Sequence, residues 1–306
     1  MTKKEFIQMC GLLGIGMPIF GSCVSSKKKI ALQKSDKVIV VGAGAAGLTA
    51  AYLLRQRGID VDILEASSSY GGRMKRDTEF ADFPIPMGAE WLHTQKKVLN
   101  DIVNQPKLQV EINTQPYDFA VDYALLDGKK VNLKKVGFTI DQKFIGSTWF
   151  DFFDQYVVPS IQHKIQFNKV VTAINYTADP ILIKAGGEEY SAKIVILTVP
   201  VKILQRQAIQ FVPSLPQDKA EAIKSVKVWG GCKAFLKFSE KFYPTVTGFE
   251  VQPETAGHKL FYDASYGQAT TQHILGLFAV GSVATPYLKR KSVDRLDHIL
   301  AELDQI

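Results

Sequence analysis

Residues 37–73, KVIVVGAGAAGLTAAYLLRQRGIDVDILEASSSYGGR, constrain the fold of this chain more than any other stretch. An apolar run at 38–41 leads into Gly42-x-Gly44-x-x-Gly47, and Leu48, Ala51, Tyr52, Leu54 and Arg55 then recur at helical spacing. A second strand, at 61–64, ends on Glu65. Strand, glycine turn, helix and strand, with an acid about twenty residues on, form the crossover unit that grips an adenine dinucleotide. The glycines let the backbone turn tightly and approach a pyrophosphate, and the helix N-terminus points unpaired N–H groups at it. The carboxylate at the end of the second strand accepts hydrogen bonds from a ribose hydroxyl and repels a 2′-phosphate. A lone glycine triplet would also suit another strand–helix turn; here three independent features coincide.

The next residues narrow the ligand. Gly71-Gly72-Arg73 follows six residues after Glu65. Paired glycines allow backbone contact with a bulky group, and an arginine beside them offers its planar fork to phosphate. Pro86-Met87-Gly88-Ala89-Glu90-Trp91 comes soon after. Together these segments resemble the FAD-binding half of the flavin-containing amine oxidase family, which includes monoamine and polyamine oxidases. The resemblance implies FAD as cofactor, with Gly42, Gly44, Ala45, Ala46, Gly47 and Ala66 in its binding set. It places Glu65 on the adenosine ribose, and Gly71, Gly72 and Arg73 along the pyrophosphate and flavin. It runs Met87, Gly88, Ala89 and Glu90 along the isoalloxazine ring.

The resemblance returns at residue 168. A strand is expected over 170–174, a hairpin over 181–190, and a β-branched run over 193–199 that adds a parallel strand to the first sheet. By resemblance, the backbone of Val171 contacts adenine. The segment WGGCKAFLKFSEKFY, residues 229–243, carries the catalytic candidate, Lys233. It sits at the family position of a lysine that hydrogen-bonds a water at flavin N5. A desolvated lysine amine has a depressed pKa and can organise water or oxygen beside a reduced flavin. Its alternative is an ordinary surface-strand lysine.

The expected fold class is α/β: a Rossmann-like FAD-binding domain with a parallel sheet built on a βαβ unit, plus a smaller α+β substrate domain. The expected FAD domain is discontinuous, 37–91 and 168–235, and the substrate domain takes 92–167 and 236–306. The resemblance implies oxidation of an amine C–N bond by hydride transfer to flavin N5, with O2 as acceptor. Two alternatives stay open, a flavin desaturase-type oxidoreductase and a non-catalytic truncated dinucleotide-binding remnant. Family members run on past the equivalent of Ile306, so the C-terminal part is expected to be incomplete. A prematurely stopped gene, completion by a partner and a slimmed-down flavoprotein all fit.

Charge and cysteine usage concern the leader. The net charge is +7, but residues 1–37 hold seven lysines against Glu5 and Asp36, leaving +2 for the rest of the 306 residues. A nucleic-acid binder would carry its basicity on the folded body, so none is expected. Lys3 and Lys4, a short apolar stretch at 9–20 and Phe20-Gly21-Ser22-Cys23 resemble a bacterial lipoprotein signal, 1–22, with a tether at 23–36. The expectation is an exported protein, periplasmic or held at a membrane surface through lipidated Cys23. Residues 2–7 also resemble a degenerate twin-arginine export motif. Of three cysteines only Cys232 is left in the body, expected buried and inert, and no metal spacing occurs.

Between the matched halves, 113–133 reads as a hairpin turning at Asp127-Gly128, and 138–165 has helical periodicity with an aromatic stripe expected in the core. Asp151 and Asp154 are expected to be solvated. A helix is expected over 217–225 and another over 294–305. The five histidines are scattered, His93 being nearest the matched motifs. Oligomeric state is left open.

Overall fold

The structure, a computed structural model, describes residues 33–249 and 257–305. The leader, Cys10, Cys23 and most of the tether lie outside the described residues.

Lys37–Val41 is the centre of a parallel sheet. Asp60–Leu64 pairs on one side, Val38 opposite Val61, and Ile194–Leu197 on the other, Val38 opposite Ile194. Ile165–Gln166 adds a fourth parallel strand beyond Asp60–Leu64. Strands buried on both faces read as near-continuous apolar runs. Lys37–Val41 does so after its first residue, and Asp60–Leu64 does so apart from Asp60 and Asp62, the latter buried and paired with Lys37. The helix Ala45–Gln56 buries Leu48, Ala51 and Tyr52 against one face. A second sheet backs the other, formed by Val171–Asn175, Ile181–Ala185, Glu188–Ala192 and Gln210–Val212. Ile39, Val41 and Leu64 meet Val171, Ile174 and Ile183 there in one core.

A six-stranded sheet carries the rest of the chain's longer strands. Its order runs Gly231–Phe238, His273–Gly281, Gly257–Asp263, Val246–Gly248, Tyr123–Leu126, Lys129–Asn132. Tyr123–Leu126 and Lys129–Asn132 form the hairpin expected at Asp127-Gly128, where both residues take positive φ, 47° and 74°. Such a two-residue turn matches the twist of its strands. The expected division at 235/236 falls inside Gly231–Phe238, which pairs over its whole length with His273–Gly281. Ile165–Gln166, expected with the substrate portion, pairs instead in the parallel sheet.

Three expectations are corrected. The helix expected over 138–165 is only Trp149–Tyr156; Gln142–Ile145 is a strand, paired with Trp91–Leu92 and Asn113–Pro116. Gly146, at φ +61°, breaks the chain between them, and Thr148 Oγ1 then caps the helix by accepting from the Phe150 and Asp151 amides. The aromatic stripe does lie in the core, with Phe152 and Phe153 buried. Asp151 and Asp154 are not solvated. Asp151 accepts from Thr148 Oγ1 at 2.7 Å and pairs with Arg76, and Asp154 accepts from the Tyr70 hydroxyl. Arg76 and Tyr70 come from far away in sequence, which helix spacing does not reveal. Cys232 is half-buried rather than buried, and burial pushes its thiol up. The helices at Gln217–Ser225 and Ser292–Leu303 match the pattern.

Candidate functional site

The carboxyl ends of the parallel strands open on a crevice of about 540 Å³, the place where open α/β sheets bind ligands. The glycine turn forms its floor. Gly42 has φ +105°, and a Cβ on Gly47 would lie 1.9 Å from the Gly42 carbonyl, so strand and helix meet only through glycine. Thr198, just after Ile194–Leu197, ties the turn to the sheet by donating to the Val41 carbonyl at 2.8 Å.

Gly44 differs. Its φ is an ordinary −83°, and a Cβ there would meet no protein atom within 4 Å. Packing within the protein does not demand glycine at this position, which leaves the backbone open to a ligand. A Cβ on Gly72, at φ +56°, would lie 3.3 Å from the Gly44 Cα, and Gly71 N donates to the Ala43 carbonyl at 2.9 Å. The two glycine turns therefore lie side by side. Arg73 is exposed at their edge and, among the described residues, makes no ion pair.

Glu65 lines the same crevice. Its Oε2 accepts from the Ala43 amide at 2.7 Å, and its Oε1 from the Ser67 amide at 2.9 Å and the Ser67 hydroxyl at 2.6 Å. Oε1 is thereby doubly used, and Oε2 keeps a second acceptor site. The backbone is held too, Glu65 N donating to Gln166 and Lys169 N to Glu65. Ala45, Ala46, Ala66 and Val171 complete the set that the sequence singled out. Thr198, Lys169 and Ile209 also line the crevice, unforeseen because they lie in loops beside strands that the fold brings in from afar.

The segment 87–90 goes elsewhere. Gly88 is locked against Arg73, whose carbonyl lies 1.8 Å from a built Cβ. Met87 is exposed, and Ala89 borders a shallow apolar hollow shared with Ala45, Ala46 and Met74. The Glu90 side chain is 1% exposed and carries two lysines. Lys143 Nζ lies 2.6 Å from Oε1; Lys233 Nζ lies 2.7 Å from Oε2 and also donates to the Pro86 carbonyl at 3.0 Å. The Tyr262 hydroxyl donates to Oε2 at 2.9 Å. Trp91 and Phe235 wall the cluster, each ring 5.8 Å from Lys233 Nζ. Burial pushes the Lys233 amine below the usual lysine range, against the pull of Glu90 and with the help of Lys143. Burial pushes the Glu90 carboxyl up, but the two lysines outweigh it and hold it below the usual carboxylate range.

Lys143 and Tyr262 were not found in the sequence. Lys143 falls in the four-residue strand Gln142–Ile145, too short for alternation to stand out. His93 pairs with Asp141 at 2.8 Å, outside this cluster.

Fold and crevice are those of a Rossmann-like α/β protein with room for a dinucleotide. Comparison with known proteins agrees. Residues 40–106 match the NAD(P)-binding Rossmann-like domain, and residues 153–306 match the flavin containing amine oxidoreductases. Polyamine oxidase 1 of Zea mays is 25% identical, over 78% of this chain and 68% of its own length. Probable polyamine oxidase 4 of Arabidopsis thaliana is 25% identical, over 90% and 73%. Among solved structures, a triple mutant of putrescine oxidase shares the fold at a TM-score of 0.69, with 15% identity, over 88% of this chain and 80% of that one. This chain belongs to the flavin containing amine oxidoreductase family. FAD is the family's cofactor, and the open space at Gly44 beside the free fork of Arg73 fits it.

Proposed function

We propose that this protein is an FAD-dependent oxidase of small amines of the polyamine class, acting by hydride transfer with O2 as electron acceptor. The observation that carries the reading is the meeting of Gly44, Glu65, Gly72 and Arg73 in one crevice at the ends of parallel strands. The relatives' names supply the substrate class. FAD, when bound, takes a hydride equivalent at N5 from the carbon next to the substrate nitrogen.

The chain's residues do the rest. Glu65 holds the adenosine ribose, Arg73 and the amides at the start of Ala45–Gln56 hold the pyrophosphate, and the Val171 backbone meets the adenine. Lys233 holds a water, or accepts a proton, at Nζ. The dry aromatic walls keep bulk water from that amine and favour its neutral form. We further propose export and lipid anchoring at Cys23.

The test begins with the colour of the purified protein. A bound flavin spectrum and peroxide release from at least one di- or polyamine are expected, with release lost in Lys233→Met. A colourless protein that takes up no added FAD overturns the reading. Flavin without peroxide from any amine favours a desaturase-type or non-catalytic role. Peroxide release that survives Lys233→Met removes that lysine from the chemistry. Metabolic labelling with a fatty acid, abolished by Cys23→Ala, tests the anchor.

A further inference from the structure

The buried cluster around Glu90 holds more positive charge than its one carboxylate balances. Three side chains that carry charge when ionised at neutral pH meet there: Glu90, Lys143 and Lys233, with exposures of 1%, 3% and 8%. Fully ionised, they leave a net positive charge out of water, which is costly. The two oxygens of Glu90 are used unequally. Oε1 receives only Lys143, at 2.6 Å, whereas Oε2 is divided between Lys233 at 2.7 Å and the Tyr262 hydroxyl at 2.9 Å. Lys143 is also fixed by backbone. It sits directly opposite Trp91 in one strand pair and opposite Gln115 in the other. Its ammonium lies 5.4 Å from the Tyr262 ring, on the aromatic that bonds the other oxygen.

We propose that Lys143 is a positioning residue for Lys233. It claims Oε1, leaves Lys233 the shared oxygen, and sets a second positive charge beside it, so that Lys233 can work as a neutral amine. This deepens the proposed function and rests on Lys233 serving there.

No other charged side chain bonds to Glu90 or Lys233 among the described residues. Tyr262 and Tyr117, both driven above their ordinary values by burial, keep their protons throughout the working range. Further out are Asp141, which pairs with His93, and His258, packed on Phe278 across the strand from Lys233. Lys237, on the same strand, reaches instead toward Phe80.

The direct test is an NMR titration of the full chain, isotope-labelled at the lysine ε-carbons, with Lys233 assigned by Lys233→Arg. In the unmodified protein Lys233 titrates below the ordinary lysine value; titration at about 10.4 overturns the inference. In Lys143→Gln, which keeps a donor for Oε1 but drops the charge, the Lys233 midpoint rises by about one pH unit. In Lys143→Arg it stays near its original place. In the loaded enzyme, the acid limb of the rate profile moves upward with Lys143→Gln. The rate on that limb therefore falls about tenfold at fixed pH and is regained about one unit higher. A purely structural role for Lys143 would lower the melting temperature and leave the Lys233 midpoint where it was, which also overturns the inference. If no amine yields peroxide, the proposed function fails, while the titration still decides what Lys143 does.

Discussion

Glu90 is the residue on which most of the buried charge depends. Removing it strands two lysines without a counter-ion, so Glu90→Gln is expected to cost about 3–5 kcal/mol in urea denaturation. Lys233→Met leaves a one-to-one pair between Glu90 and Lys143 and costs far less. The pH dependence has one sign in two separate windows, stability rising with pH in each. Folded Glu90 lies below its unfolded value, so the unfolded chain takes up the proton first as pH falls. The stability it contributes above about pH 4.3 is lost below that point. Folded Lys233 also lies below its unfolded value. Stability therefore rises as pH climbs from the folded Lys233 value toward about 10.4. Urea midpoints across pH should show that alkaline rise in the unmodified protein and a flatter curve in Lys233→Met. Two glycines make a second contrast. Gly44→Val has room, so it should melt within about 1 kcal/mol of the parent yet lose flavin absorbance. Gly88→Ala forces a methyl onto the Arg73 carbonyl and should cost about 3 kcal/mol whether or not flavin is present. The glycine triplet and Glu65 were legible because one local unit defines them. Glu90 was legible only as a motif letter, since its two lysines arrive from strands about 50 and 140 residues away.

At the scale of elements, the short helix Trp149–Tyr156 links core and crevice. Thr148 starts it, and Phe150 in its first turn stacks on Tyr70 at 5.4 Å with the rings 5° from parallel. The Phe150 ring lies only 3.0 Å from where a Cβ on Gly71 would be, so the helix backs the second glycine turn. Thr148→Ala should therefore cost about 1 kcal/mol in a thermal melt. It should also weaken FAD retention, read as faster loss of flavin on dilution. Periodicity overran this helix at its N-terminal end because strand Gln142–Ile145 supplies apolar residues that fit a helical count equally well. Gly146 and Thr148 were the available signals, a turn glycine and a cap residue three positions before an acid. The crossover strands, by contrast, were legible to within a residue, because burial on both faces keeps them mostly apolar, with Asp62 the interior exception.

For the whole molecule, the sheets differ in what they leave open. Ile194–Leu197 is the outer strand of the parallel sheet, with Ile194, Val195 and Ile196 half-buried and Leu197 exposed. Val293, Leu296 and Leu300 are exposed along one face of Ser292–Leu303. Apolar stripes of this kind favour association. Replacing Leu296 and Val293 together with lysine should lower light scattering in concentrated solution and leave the melting temperature nearly unchanged, since neither side chain is buried. No described helix is long and apolar enough to cross a membrane. The sequence alone determined the crossover unit, its glycines, the acid at the strand end and the family, because each is written within a few dozen consecutive residues under local steric rules. Tertiary structure alone decided that Glu90 turns away from the crevice onto Lys143 and Lys233. It also decided that Asp151 and Asp154 find partners, and that Gly231–Phe238 joins the six-stranded sheet over its whole length. Those outcomes depend on which distant strands pair, and pairing is set by burial summed over the whole core rather than by any one segment.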